Sequence, residues 1–233
     1  MEITNISTEN PNFGWNIKTH KAMTSLALHG SAAETSAQRA MCKFVQLPDL
    51  LKQEAGYHHN THFFFPDCKN KSFGRDANGR NNALSMFKEH YQAAAEAKTL
   101  DDFLLRTGFA MHYLQDVTMP MHTEPGGVLN KILDYRLHKN FECGGKYGAR
   151  ANMQELTKSC KLKNMGDIYS PLSLFMETAR FSQNPKYKVS RFNKGNWLKI
   201  QQECFDMGVS VSKRFFDIMW ETCGRHLAKT NPL

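Results

Sequence analysis

The sequence is short of several things, and each shortage excludes a class of protein. No two of its six cysteines, Cys42, Cys68, Cys143, Cys160, Cys204 and Cys223, stand in a CxxC pair. That removes zinc ribbons and thioredoxin-type redox motifs, and an even count leaves bridged and free thiols equally open. Uncharged apolar runs fall far short of the roughly 20 residues that a membrane span needs. The first fourteen residues are polar and lack a basic start followed by an apolar core. No secretory signal is therefore legible, so the chain stays inside, leaves by another route, or follows a removed export segment. No long β-branched alternation marks a strand. Acidic residues are outnumbered, 22 Asp and Glu against 30 Lys and Arg, for a net charge of +8. Such a surplus suits anionic membranes and nucleic acid alike.

What is present is helical. The 233 residues are 41% hydrophobic and 22% charged, the balance of one folded domain. Ala, Leu, Met, Lys, Gln and Glu fill the periodic stretches. They predict helices over 18–28, 32–44, 82–97, 100–113, 129–141, 172–181 and 197–227. Thr99 reads as a helix cap, with Asp101 and Asp102 in the first turn where the helix dipole favours negative charge. Pro120 cannot continue that helix. A long loop over 58–80, rich in Pro, Asp, Asn and Gly, has the length of a functional segment. No repeat or interdomain linker interrupts the pattern, so the expected fold is a single all-α domain.

The strongest signal is His112-Tyr-Leu-Gln-Asp116-Val-Thr-Met-Pro120-Met-His122. His112 and Asp116 are four apart, which on a helix puts both on one face, one turn apart. His122 follows the proline, where the chain has turned and can face the same cleft from another side. Sixteen residues further, His138-Lys-Asn-Phe-Glu142 repeats the His-x-x-x-carboxylate spacing. One such pair is commonly a surface ion pair. Two, with a histidine between them, supply the nitrogen and oxygen donors that zinc accepts, in numbers enough for more than one ion.

The pattern H-Y-x-x-D-x-x-x-P-x-H, with His138 and Glu142 downstream, resembles the signature of the zinc-dependent phospholipases C, which share an all-α fold with single-strand-specific zinc nucleases. Glu142, where the nucleases more often have Asp, leans toward the phospholipases. Upstream, His62-Phe-Phe-Phe-Pro66 is similar to the family's His-Phe-x-x-Pro segment, and Gly14-Trp15 with His20 is similar to its Trp…His opening. Asp49 sits near the family's water-directed aspartate.

The resemblance implies two or three zinc ions. His62, His112 and Asp116 would hold one and His122, His138 and Glu142 another. Asp116 would bridge to a third ion near His20 and Trp15. Asp49 would be the general base, or would orient the attacking water. It implies residues 1–14 as an N-terminal segment ahead of a zinc-dependent catalytic domain over 15–233, and a glycerophospholipid substrate at a membrane surface. It favours secretion, with a cytoplasmic location as the alternative. In the family the tryptophan is the mature N-terminus. Here Trp15 gains a free amine only by cleavage after Gly14; otherwise the third site is altered or absent. Leu50 and His59 stand where choline-binding aromatics are expected, and the chain ends at Leu233 without the β-sandwich domain that some toxins carry. Any membrane contact then falls to the helical domain, for which the basic strip 180–199, with Tyr187, Phe192 and Trp197 among its cations, is a candidate for anionic lipid or other polyanions. Two other functions stay open: a single-strand nuclease, and a non-catalytic metal- or lipid-binding module.

Overall fold

A computed structural model of the chain describes residues 17–51, 59–65, 82–123, 141, 153–190 and 194–230. Among these no strand forms, and the domain is all-α. Its helices are α1 (Ile17–Leu28), α2 (Thr35–Phe44), α3 (Leu47–Leu50), α4 (Ala83–Ala95), α5 (Leu100–Asp116), α6 (Pro120–Thr123), α7 (Met153–Lys158), α8 (Pro171–Ser182), α9 (Trp197–Met219) and α10 (Arg225–Thr230). No described helix is long and apolar enough to cross a membrane.

The helix starts follow local chemistry. Thr99 Oγ1 accepts from Asp102 N at 3.2 Å, as the sequence predicts. Asn82 and Ser85 satisfy each other's backbone N–H groups reciprocally at 2.9 Å and open α4. Ser170 caps α8, with Pro171 pre-set at its first position. Pro120 ends nothing directly: α5 closes at Asp116, and the proline opens α6. The expected helix 100–113 therefore runs three residues further, which makes the whole His112–Asp116 stretch helical. The expected helix 197–227 is divided, because the backbone widens over Trp220–Gly224 before α10. Gly224 is required there, since a Cβ would stand 2.5 Å from Trp220 Cε3 and 2.7 Å from Phe103 Cε1. The expected helix 129–141 lies outside the described residues apart from Phe141, which is helical.

α5 is the axis of the domain. Every residue from Thr107 to Asp116 is buried, as happens when a helix is wrapped by partners on all sides. α4, α2 and α9 pack against it. On one side Phe87 meets Phe175 at 4.8 Å and Phe215 at 5.4 Å between ring centroids, the centre of the larger apolar cluster. A second cluster gathers Met23, Met119, Phe141, Trp197 and Phe205. Truncating a core aromatic such as Phe87 to alanine costs roughly 3–5 kcal/mol. Of the cysteines, Cys42, Cys160, Cys204 and Cys223 are free thiols; Cys68 and Cys143 lie outside the described residues.

Candidate metal centre

Five short stretches deliver six polar side chains to one place. α5 presents His112 and Asp116 one turn apart, and the 117–119 turn swings α6 round so that His122 faces back. Phe64 N donates to His122 O at 2.9 Å, which fastens the segment carrying His62 beside α6. α1 brings His20, and α3 brings Asp49. All six residues are buried.

The distances describe a donor cluster. Asp116 Oδ2 lies 2.6 Å from His62 Nδ1 and 3.3 Å from His112 Nε2, and those two nitrogens are 3.2 Å apart. Tetrahedral zinc with bonds of about 2.0–2.1 Å holds its ligands about 3.3 Å from one another, so this triangle has the right scale. The other carboxylate oxygen, Asp116 Oδ1, faces His20 Nε2 at 3.5 Å and His122 Nδ1 at 3.6 Å. His20, Asp49 and His112 form a second possible ligand group, with Asp49 3.9 Å from each histidine nitrogen. His112 Nε2 belongs to both groups, and one nitrogen has one lone pair. The groups are therefore two flanks of a single centre. His20 Nε2 and Asp116 Oδ1 are buried without a hydrogen-bond partner, which is costly in a dry interior unless something else meets them. A divalent cation fits both the donor chemistry and those two atoms.

The outer partners aim these ligands, and they were not singled out from the sequence. His112 Nδ1 is 2.9 Å from the Val45 carbonyl, which only accepts, so Nδ1 carries the proton and Nε2 turns its lone pair inward. Gln115 does the same for His20. Its Nε2 donates to Thr24 Oγ1 at 3.0 Å and Ser212 Oγ at 2.8 Å, leaving Oε1 to accept from His20 Nδ1 at 2.7 Å. Ser212 in turn donates to Gly208 O, and Thr24 to Met111 Sδ, so the amide has one orientation. Gln115 sits inside the motif, and that was its only signal. Val45 acts through backbone and had none.

Electrostatics agree with a cation site. Burial works to raise the Asp116 carboxyl, but His112 and His62 outweigh it and hold the group well below the usual carboxylate range. Burial likewise works to lower His20, yet Asp116 and Asp49 leave it raised. The two carboxylates that favour a proton on His20 favour a metal ion in its place.

Trp15, His138 and Glu142, expected as further ligands, lie outside the described residues. In the basic strip, Tyr187 and Trp197 are buried in the core, Arg180 pairs with Glu177, and Lys186 approaches Glu203 at 3.6 Å. At those two aromatic positions the strip offers no exposed ring for stacking.

Among solved structures the chain is similar to the alpha toxin of Clostridium absonum, with a TM-score of 0.59 and 15% identity, covering 95% of this chain and 67% of that one. It is also similar to Clostridium perfringens alpha-toxin from avian strain SWCP, with a TM-score of 0.51 and 15% identity over 86% of this chain and 64% of that one. No protein-family model matches the chain, and no curated protein does. The chain spans about two thirds of the toxins' length. The likeness shows the fold alone, a helical arrangement shared with these toxins, and the described residues are all-α as the motif's resemblance implies.

Proposed function

We propose that the chain is a zinc-dependent phosphodiesterase, acting as a phospholipase C that releases diacylglycerol and a phosphorylated head group. The buried convergence of His20, Asp49, His62, His112, Asp116 and His122 supports this reading above all else. In this reading His62, His112 and Asp116 hold one zinc and His122, His138 and Glu142 a second. His20 and Asp116 serve a third, joined by Trp15 only where cleavage after Gly14 frees its amine. Zinc there supplies Lewis-acid activation of water and offsets the negative charge that grows on the phosphate. Asp49 accepts the proton of the attacking water and aims its oxygen. Val45 and Gln115 keep His112 and His20 in the tautomers that leave Nε2 free to bind.

The deciding experiment incubates the purified protein separately with mixed phospholipids and with single-stranded DNA, with zinc measured in parallel. Diacylglycerol release with bound zinc is expected. Nucleotide release instead makes the chain a nuclease, and neither product makes it a binding module. The variant Asp49→Asn is expected to lose turnover while retaining zinc, because the His62–His112–Asp116 triangle does not use it. Loss of zinc would place Asp49 among the ligands instead.

A further inference from the structure

A second feature lies on the outer side of α1. His20, Met23, Thr24 and Ala27 turn inward, whereas Lys21 and Ser25 point away from the metal centre. They line a cleft of about 490 Å³ between α1 and α2, completed by Leu28, Thr35, Gln38, Arg39, Cys42, Lys43 and Gln46. Its charge is of one sign: Lys21, Arg39 and Lys43 line it, and no carboxylate does. None of these three exposed cations makes an ion pair with a described residue. Arg39 and Lys43 stand one turn apart on α2, where like charges repel unless an anion lies between them. The amides of Gln38 and Gln46 are tied to the carbonyls of Ala33 and Cys42. The hydroxyls of Ser25 and Thr35 remain beside the cations. Thr35 opens α2, where the helix dipole adds positive potential.

We propose that this cleft binds a phosphate-bearing anion, at a site separate from the metal centre. The guanidinium of Arg39 matches a phosphate's paired oxygens, the two ammonium groups neutralise its charge, and the hydroxyls complete its hydrogen bonds. The volume falls within the range of small-ligand sites. The phosphate can be free or part of a lipid head group; the chemistry that recognises it is the same. The proposal does not rest on the catalytic reading.

The test uses the full chain, wild type and two triple variants. Lys21→Gln/Arg39→Gln/Lys43→Gln empties the cleft of charge, and Lys186→Gln/Lys188→Gln/Lys199→Gln removes an equal charge from the basic strip. Each is titrated with inorganic phosphate, and with vesicles of a neutral galactolipid with and without phosphatidic acid, a mixture holding no phosphodiester. The cleft variant should bind on the order of a hundredfold more weakly than wild type, and the strip variant should stay within about threefold. A loss read with inorganic phosphate assigns the free ion, and a loss read only with phosphatidic acid vesicles assigns the head group. Phosphate held at the metal centre is common to all three proteins and cancels. Absence of binding to either probe, or equal binding by the cleft variant, overturns the proposal. So does a loss confined to the strip variant. Zinc content and lipid hydrolysis, read on the same samples, fail or hold separately.

Discussion

Gly108 lies one turn before His112 on α5, and replacing it with alanine tests how the centre is aimed. A Cβ there would stand 2.7 Å from Phe44 Cβ and 3.1 Å from Phe44 C and Val45 N. Carbon atoms settle at about 3.5–4.0 Å, so the end of α2 must retreat by roughly 1 Å. The bond from His112 Nδ1 to Val45 O is 2.9 Å long and does not survive such a shift. Overpacking costs roughly 1–3 kcal/mol. The imidazole N–H stranded in the interior costs about 1–3 kcal/mol more. Better helix propensity returns about 0.5–1 kcal/mol. The net loss is about 1–5 kcal/mol, or a melting temperature lower by roughly 2–20 °C at 2–4 °C per kcal/mol. Zinc affinity should also fall about 10–100-fold, the usual effect of removing a ligand's outer partner. Thermal scans of the metal-free protein give the first figure, and chelator competition gives the second. Gly195→Ala, where nothing lies within 4 Å, is the control. Gly108→Ala with unchanged melting and zinc affinity refutes the packing argument. A destabilised variant with unchanged zinc affinity refutes the link from packing to ligand.

Gln115→Ala frees His20 to rotate and should weaken zinc binding by about 10–100-fold, read by the same competition assay. Stripping metal with a chelator should lower the melting temperature, and re-adding zinc should raise it again with the logarithm of free zinc, because the ion binds the folded chain and not the unfolded one. His90, packed against Phe109 at 4.8 Å and parallel to Tyr113 at 6.1 Å, is held neutral. Burial, then the charges of Arg106 and His112, lower it to about 4. Between about pH 6.5 and 4 the unfolded chain therefore binds a proton that the folded chain does not, and stability falls with pH by up to about 3 kcal/mol. Denaturation of His90→Phe across that window should show a slope shallower by up to one proton; an equal slope would show that His90 titrates normally.

The sequence exposed what repeats over several turns or sits in a spaced motif. α5 and its His112–Asp116 pair were visible because burial and donors share one helical period. The single-turn helices α3 and α6 were not, because one turn carries no periodicity. The grouping of His20 and Asp49 with His112 depends on how α1 and α3 pack against α5, and local spacing does not encode that. Val45 contributes only a carbonyl, which every residue has. Ser212, on a helix with no donor in the cluster, matters solely through Gln115.

Asp49 and Asp116 are the carboxylates of the described cluster, set among four buried imidazoles, a group that serves a metal as a neutral ligand. One divalent ion cancels them. On the proposed reading, two or three zinc ions would bring more positive charge than Asp49, Asp116 and Glu142 supply. On that reading the loaded centre would carry more positive charge than these three carboxylates cancel. A phosphodiester completes it, whereas an uncharged ester leaves the deficit standing. On the proposed reading, the small number of carboxylates in the described cluster would favour an anionic ester over an uncharged one, before any pocket for the alcohol is considered.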